Sequence, residues 1–433
     1  MRSAGEQNGG EIHARMQAVP NRQSLKSLQS VPADSRRRPN GLREMRRRPK
    51  PSCLRYADVE KPLEIGRSLW WRLICARGAP PRRCNTVLTC FDESNPLDQT
   101  FLRLLREPVG GMIEHRSDRL VGISSGANYE IRNGIPRFVP SLEAGQEQVQ
   151  GTFAYKWNRT PDWGITGETA QIMTEWMMPV LGWKDEAEYA EFLRPCRVIL
   201  DAGCGNGRET IRLARLNPDA LVIGLDISNA VDQAQKNAEG IPNIRFIQGD
   251  LCAPPLSKGQ IDYIHSFGVL HHTPDTRKAF LALAPLLSEA GQFAFYVYRK
   301  KAPIREFSDD YVREALQAMS PTEAWEEMER LTLLGKALSD LKFEIEVPAI
   351  PTLGIEAGKH NVQRLFYYTM LKCYWRDGWS LEENTHVNFD WFYPQYAWRH
   401  TPNEVRGWLA EAGLVEKAFV EIPAGLTFRA GRA

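Results

Sequence analysis

Two carboxylates and three glycines at short, regular spacing are the residues of this chain with the clearest chemistry. Asp201 ends a short apolar run and is followed by Gly203, Gly205 and Gly207, and Asp226 ends a second apolar run 25 positions after Asp201. Short apolar runs are typical of buried strands, and closely spaced glycines let a backbone turn tightly against a ligand. A carboxylate at the end of the second strand can accept two hydrogen bonds from a ribose diol. The pattern therefore predicts a strand–loop–helix–strand unit that binds a nucleoside.

The spacing of the glycines distinguishes between two nucleoside cofactors. Dinucleotide-binding units use G-x-G-x-x-G and place a pyrophosphate at the helix N-terminus. Here the spacing is G-x-G-x-G, and Arg208 stands where the third glycine would fall. Asp201 would repel a pyrophosphate because both are negative, whereas it could bind an ammonium group. The pattern D-x-G-x-G-x-G resembles motif I of the class I S-adenosylmethionine-dependent methyltransferases, and this resemblance implies S-adenosyl-L-methionine as the cofactor.

The resemblance extends over roughly residues 197–300. A third apolar run ends at Asp250, where the family binds the adenine amino group, and a fourth is followed by His271-His272-Thr-Pro-Asp275. That last segment is similar to the LHHxxD segment of the branch that includes quinone-biosynthesis methyltransferases. An upstream aromatic segment, 152–157, resembles one that folds over the cofactor, where an aromatic face attracts the positive sulfonium; ordinary aromatic packing is its alternative. The resemblance implies cofactor contacts from Tyr155, Trp157, Asp201, Gly203, Cys204, Gly205, Gly207, Asp226, Ile227, Asp250, Leu251 and Ser266.

Strands and helices alternate in order over about 100 residues, which predicts an α/β fold. The resemblance implies a doubly wound, seven-stranded, mostly parallel, Rossmann-like sheet. The methyltransferase domain is expected at residues 146–300 and 400–433, and a helical, aromatic substrate cover at 301–399. Thr401 and Pro402 predict the start of the last helix, and a closing antiparallel hairpin is expected from two strands after Gly413.

The first 98 residues lack core-forming periodicity and are predicted to be disordered. Residues 1–50 carry 12 Lys or Arg and 4 Asp or Glu. A basic arm for nucleic acid or acidic membrane, or a transit peptide, is one interpretation. A solvated tail, or translation from a start codon placed too far upstream, is the preferred alternative.

Residues 99–145 are predicted to form a small ribbon-like lead module. The segment resembles a zinc-ribbon-like module found before some bacterial methyltransferases, in which four cysteines bind the metal. The corresponding positions here hold Glu107, Gly110, Gly122 and Ser125. Because two glycines offer no donor atom to a tetrahedral zinc ion, no metal is expected. Asn133-Gly134 predicts a tight hairpin turn.

Methyl transfer requires mainly the alignment of acceptor, methyl carbon and sulfur, and a hydroxyl acceptor also gains from a positioned base. His271, His272, Asp390 and Tyr393 are the candidate catalytic residues, because the histidines follow the fourth strand and the other two lie in the cover. A structural role is the alternative for each of them. The hypothesis is transfer to an oxygen or nitrogen of a small molecule, such as a metabolite, natural product or sugar-containing intermediate.

Two other functions stay open, namely an RNA or protein methyltransferase and a non-catalytic protein that binds S-adenosylmethionine. The chain has no N-P-P-Y type segment after the fourth strand, and this argues against a nucleic-acid acceptor. No apolar stretch is long enough to cross a bilayer, so no membrane partner is expected. The eight cysteines form no C-x-x-C pair and favour reduced thiols, hence a cytoplasmic location. The sequence leaves the acceptor and the oligomeric state open.

Overall fold

A central β-sheet organises the part of the chain that the structure, a computed structural model, describes, namely residues 97–433 without 109, 140 and 141. Within it, eleven strands form one sheet in the order β1-β2-β3-β4-β7-β6-β5-β8-β9-β13-β12. The strands of this sheet are β1 (Ile113–Arg116), β2 (Arg119–Gly122), β3 (Asn128–Arg132), β4 (Ile135–Phe138), β5 (Val198–Ala202), β6 (Leu221–Asp226), β7 (Ile244–Gly249), β8 (Ile261–Phe267), β9 (Leu287–Tyr298), β12 (Val415–Glu421) and β13 (Gly425–Gly431).

The seven strands from β5 to β9 together with β12 and β13 confirm the predicted doubly wound α/β sheet. Strands β7, β6, β5, β8 and β9 run parallel to one another, and β13 and β12 close the edge as the expected antiparallel hairpin. Helices connect the parallel strands, as parallel pairing requires. The helices around this sheet are α1 (Gln99–Leu104), α2 (Ala144–Arg159), α3 (Gly167–Val180), α4 (Glu186–Leu193), α5 (Arg208–Leu216), α6 (Ala230–Asn237), α7 (Thr276–Leu283) and α12 (Pro402–Glu411).

The core lies on both faces of the sheet because successive strand residues point to opposite sides. Leu200 of β5 belongs to one buried cluster, with Phe293 and Phe428, while its neighbour Ile199 belongs to another, with Tyr263. Parallel strands covered on both faces are expected to be apolar along their whole length. The residues of β5 and β6 that precede their acidic ends fit this expectation. No helix among the described residues has the length and hydrophobicity to cross a membrane.

The lead strands β1–β4 continue this same sheet rather than forming a separate layer. They make an antiparallel meander, and β4 pairs in parallel with β7. Asn133 and Gly134 have φ angles of 55° and 76° and make the two-residue turn between β3 and β4 that their sequence predicts. The predicted disordered segment 1–98 lies almost entirely outside the described residues. Asp98, at its end, is described and caps α1 by accepting a hydrogen bond from the Phe101 N–H at 2.9 Å.

The four positions that correspond to zinc-ribbon cysteines come together in the lead segment. The Glu107 side chain is 2% exposed, and its carboxylate accepts hydrogen bonds from the Ser125 hydroxyl and, at 3.2 Å, from the Tyr129 hydroxyl. A Cβ built on Gly122 would lie 2.3 Å from this carboxylate. The Glu107 carboxylate thus lies between Gly122, Ser125 and Tyr129. The described residues contain no group of three or more metal-binding side chains.

The predicted cover contains two long helices, a short hairpin and two further helices. These elements are α8 (Pro303–Leu316), α9 (Pro321–Asp340), β10 (Glu344–Val347), β11 (Gly358–Asn361), α10 (Val362–Thr369) and α11 (Leu381–Phe392). Three aromatic side chains of the cover, Phe389, Trp391 and Phe392, lie on α11 and are buried.

Helix α10 ends at Thr369, although the sequence keeps a helical periodicity from Val362 to Tyr374. Side chains of neighbouring helices accept hydrogen bonds from the backbone of the next segment. Asp309 binds the N–H of Lys372 at 3.3 Å, and Asn388 binds the N–H of Tyr374 at 2.8 Å. These tertiary hydrogen bonds replace the helical ones and hold the segment extended.

Candidate active site

A cavity of about 510 Å³ lies between the carboxyl ends of the parallel strands and the cover. Its volume is within the range of small-molecule sites, and its position at this sheet edge is where open α/β sheets bind ligands. The loops after β5, β6, β7 and β8 form one wall. Helices α2 and α3, the cover elements α8, α10 and α11, and the turn between β12 and β13 line most of the rest.

The glycine loop after β5 forms the floor of this cavity. Gly203 and Gly205 have φ angles of 92° and 54°, which L side chains rarely adopt. A Cβ added to Gly203 would lie 2.2 Å from Val269, and one added to Gly205 would lie 2.8 Å from the Trp157 ring nitrogen. The loop is therefore closely packed as well as tightly turned. Cys204 also lines the cavity, and burial raises the pKa of its thiol well above the usual value, so it stays protonated.

Asp201 lines the cavity beneath this loop and is 2% exposed. Its carboxylate accepts a hydrogen bond from the Thr210 hydroxyl at 2.6 Å. Burial raises its pKa to about 7, and the hydrogen bond from Thr210 only partly opposes that effect. A cation placed beside Asp201 would therefore stabilise the ionised carboxylate.

Asp226 ends β6 and faces the same cavity, followed by Ile227. Its carboxylate accepts hydrogen bonds from the Gly205 N–H at 2.9 Å and from the N–H and hydroxyl of Ser228 at 2.8 and 2.7 Å. Burial raises its pKa in spite of these hydrogen bonds. Asp226 thus connects the glycine loop to the neighbouring strand end and presents a half-buried acceptor there.

Asp250 and Leu251 follow β7 and line the third side of this region. One Asp250 oxygen accepts a hydrogen bond from the Cys252 N–H at 2.8 Å, and the other accepts one from the Gln146 amide at 3.0 Å. Gln146 belongs to α2, so this helix closes over the strand ends. The structure brings together the acids predicted at the ends of β5, β6 and β7.

Gly207, Ser266 and Tyr155 do not line the cavity, contrary to the sequence prediction of cofactor contact. Gly207 is the N-cap of α5 with φ of 85°, and its role is the turn into that helix. The Ser266 hydroxyl is fully buried and donates to the Ala202 carbonyl at 2.8 Å. Tyr155 is directed into the cover, where its ring packs 5.9 Å from that of Phe389. Trp157, two residues later on α2, does line the cavity.

His271 and Tyr393 are likewise outside the cavity lining, contrary to their prediction as catalytic residues. The His271 ring is fully buried, and its centroid lies 3.6 Å from that of Tyr298. The Tyr393 hydroxyl donates to the Met319 carbonyl at 3.0 Å within the cover. Both side chains pack between elements, which explains why neither reaches the cavity.

His272 lines the cavity and has a defined tautomer. Its Nδ1 lies 2.6 Å from the Tyr396 carbonyl oxygen, which can only accept, so Nδ1 carries the proton. Its Nε2 is buried and has no hydrogen-bond partner among the described residues. Burial lowers the pKa of His272 to about 4 and leaves the ring neutral at pH 7. Nε2 can therefore accept a proton or a hydrogen bond from a molecule in the cavity.

Asp390 lies in the cavity wall beside Lys156 of α2. The Lys156 ammonium donates to one Asp390 oxygen at 2.5 Å, and the Tyr298 hydroxyl donates to the other at 3.2 Å. Burial opposes the ionisation of Asp390, but the adjacent Lys156 outweighs it and holds the Asp390 pKa below its usual range. This ion pair joins α2 to α11. Because the carboxylate stays ionised and paired, positioning fits Asp390 better than proton transfer.

Several cavity residues were not predicted from the sequence. They are Lys156, Trp163, Arg208, Glu209, His265, Lys301, Arg305, Arg364, Lys372, Arg376 and His386. His386 stacks on Trp163 with ring centroids 4.4 Å apart. For the six that lie in the cover, the only local signal was the aromatic composition of 300–400, and the other five had none. Their convergence depends on how the cover folds back on the sheet.

The chain is similar to methyltransferases over its central part. Residues 195–368 match the family model described as "Methyltransferase domain". The chain is 38% identical over 104 residues to trans-aconitate 2-methyltransferase of Deinococcus radiodurans, which covers 24% of this chain and 39% of that protein. It is 34% identical over 98 residues to demethylmenaquinone methyltransferase of Lactococcus lactis, covering 22% and 39%. The chain thus spans less than half of the length of either relative.

The solved structures with a similar fold include magnesium protoporphyrin IX methyltransferase of Synechocystis with bound S-adenosylmethionine, at 15% identity and a TM-score of 0.37. The aligned part covers 68% of this chain and all of that one. Residues 195–368 thus resemble a methyltransferase domain, and this segment contains the parallel strands β5 to β9.

Proposed function

We propose that the protein is an S-adenosylmethionine-dependent methyltransferase that modifies an oxygen or nitrogen atom of a small molecule. The observation that carries the proposal is the pair of carboxylates, buried Asp201 and half-buried Asp226, on either side of the tight glycine loop in one cavity. The matches of the central segment to methyltransferases support the same activity.

The residues present fit this cofactor. A Cβ on Gly203 or Gly205 would meet a side chain at under 3.0 Å, so the floor has room only for glycine. Asp226 offers acceptors suited to a ribose diol, and Asp250 offers one suited to the adenine amino group. Burial raises the pKa of Asp201 to about 7 in the empty cavity. The ammonium group of the methionine part would be a counter-ion for its ionised carboxylate. S-adenosylmethionine supplies, when bound, a methyl group already activated by the positive sulfur.

The described residues have two tasks towards the acceptor. The first is alignment, since burial between α2, the strand ends and the cover restricts the orientation of a small molecule and excludes water. The second concerns a proton. His272 lines the cavity, and its buried Nε2, which has no hydrogen-bond partner among the described residues, is the atom that could take a hydrogen bond from an acceptor hydroxyl or amine. The enclosed cavity beneath the cover, together with the small-molecule substrates in the names of the two relatives, favours a small-molecule acceptor over RNA or protein.

Calorimetric titration with S-adenosylhomocysteine tests the proposal on the full chain. Asp226→Ala should weaken binding at least tenfold, about 1.4 kcal/mol, because a half-buried hydrogen-bonding partner of the ribose is lost. Asp219→Ala is the matched control, since Asp219 is an exposed acid just before β6, the strand that Asp226 ends. Unchanged affinity in Asp226→Ala would refute the ribose assignment. Binding without methyl transfer to any acceptor would favour the alternative of a non-catalytic binding protein.

A further inference from the structure

Four cationic side chains converge on Trp391, and three of them also line the cover half of the cavity. The fourth is Arg313, whose guanidinium carbon lies 5.6 Å from the ring centroid outside the cavity lining. The Lys301 and Lys372 ammonium groups lie 5.4 and 4.7 Å from the Trp391 ring centroid, and the Arg305 guanidinium carbon lies 5.4 Å from it. All three side chains and Trp391 line the cavity. Arg305 and Lys372 are 1% and 5% exposed, so their charges are largely removed from water. We call Lys301, Arg305 and Lys372 the cation cluster.

The cation cluster has fewer acidic partners than positive charges. Arg305 forms a buried ion pair with Asp309 at 2.8 Å. The Lys301 ammonium donates instead to the carbonyls of Pro423 and Ala424, both at 2.6 Å, and that of Lys372 donates to the Val387 carbonyl at 2.8 Å. In the described part of the chain neither lysine forms an ion pair. Carbonyls align an ammonium group but do not neutralise it.

Burial in the empty cavity works against the positive charge of both lysines. Burial lowers the pKa of Lys301 to about 7 and that of Lys372 well below its usual value. The charged groups that act on the two lysines are Asp309, Glu306, Arg299 and Arg305 for Lys301, and Asp390, Asp309, Arg305 and Lys301 for Lys372. A cation–π contact with the Trp391 ring stabilises each of these cations taken by itself. Such contacts do not offset the mutual repulsion of the cationic groups of Lys301, Arg305, Arg313 and Lys372 around one ring.

The walls beside the cation cluster are flat and aromatic. Tyr296, Tyr298, Tyr367 and Tyr374 line this part of the cavity with Trp391. Rings of this kind favour a planar or aromatic body, while buried lysine and arginine side chains bind carboxylates and phosphates.

Building on the proposed methyl transfer, we propose that the acceptor is a planar or aromatic anion whose carboxylate or phosphate is bound by Lys301, Arg305 and Lys372 beside Trp391. The anionic group replaces the missing counter-charge. Binding then protonates the lysine that is partly neutral in the empty cavity, so protons are taken up from solution.

The test uses the full chain saturated with S-adenosylhomocysteine and a panel of aryl carboxylates, aryl phosphates and the neutral amides of the same carboxylates. Ligand-observed NMR ranks the panel, and calorimetry in two buffers of different ionisation enthalpy measures affinity and proton uptake for the best compounds. Acids should bind and their amides should not, with net proton uptake at pH 7.5. Comparing the affinities of the aryl carboxylates and the aryl phosphates identifies which anionic group the site prefers.

Lys301→Met and Lys372→Met should each weaken anion binding at least tenfold and leave the affinity for S-adenosylhomocysteine unchanged. Lys301→Arg, which keeps the charge, should restore most of the anion binding. Lys300→Met is the matched control, because Lys300 is the sequence neighbour of Lys301 but is half exposed and pairs with Glu404 at the surface. If the unmodified protein did not bind S-adenosylhomocysteine, the proposed function itself would be refuted. Normal S-adenosylhomocysteine binding with no bound acid, or with amides bound as tightly as acids, would overturn the anion assignment alone.

Discussion

Replacing Gly203 by alanine tests the packing of the cofactor loop directly. Gly203 has φ of 92°, and a Cβ there would lie 2.2 Å from Val269, which itself lines the cavity. Its N–H also donates to the Leu225 carbonyl at 2.7 Å, so the loop cannot move freely away from Val269. We therefore expect Gly203→Ala to displace both the loop and the side chain above it.

The magnitude follows from two separable effects. The left-handed backbone costs an L-residue roughly 1–2 kcal/mol, and forcing a methyl group into a packed site costs roughly 1–3 kcal/mol more. Gly259→Ala is the matched control, because Gly259 has φ of 73° but nothing within 4 Å of the added Cβ. Gly203→Ala should therefore lower the free energy of unfolding by roughly 2–5 kcal/mol, and Gly259→Ala by only roughly 1–2 kcal/mol.

Denaturant unfolding and titration with S-adenosylhomocysteine measure the two consequences. The affinity of Gly203→Ala should fall at least tenfold, or about 1.4 kcal/mol, whereas that of Gly259→Ala should not change. Equal stability and equal affinity in the two variants would show that the loop has room to spare, and would refute this account of the floor of the cavity.

Two further predictions concern protonation. His272 should be neutral at pH 6 with its proton on Nδ1, because burial lowers its pKa to about 4; ¹⁵N NMR of the imidazole reports this, and a doubly protonated ring at pH 6 would contradict it. Asp201 should be largely protonated below pH 7 in the free protein, since burial raises its pKa to about 7, and it must lose that proton to bind an ammonium group. Affinity for S-adenosylhomocysteine should therefore fall as the pH drops from 7.5 to 5.5, with proton release on binding, and Asp201→Asn should abolish this dependence. An affinity that is constant over this range in the unmodified protein would show that Asp201 does not bind the ammonium group.

Local features of the site were predictable from short stretches of sequence. The run that ends at Asp201, the glycines after it and the run that ends at Asp226 each contain their own structural signal. The Asn133-Gly134 turn and the capped start of the last helix at Thr401 are of the same kind, since a turn or a cap depends on a few adjacent residues. Parallel strands bring their acidic ends to one edge of the sheet. The cofactor half of the cavity could therefore be predicted from the positions of the strands along the chain.

The acceptor half depended on tertiary structure. Lys301 and Lys372 are 71 positions apart and meet beside Trp391 only because the cover folds across the strand ends. Tyr155 and Trp157 lie two residues apart on α2, yet only Trp157 reaches the cavity, since the rotation of the helix directs Tyr155 towards Phe389. His271 and His272 are adjacent in the chain, yet only His272 lines the cavity. The sequence alone determined where the β-strands lie along the chain and which carboxylates end them, because periodicity and turn chemistry are local. Packing between distant segments decided which aromatic, basic and histidine side chains face the ligand, because the direction of a side chain is set by its neighbours in space.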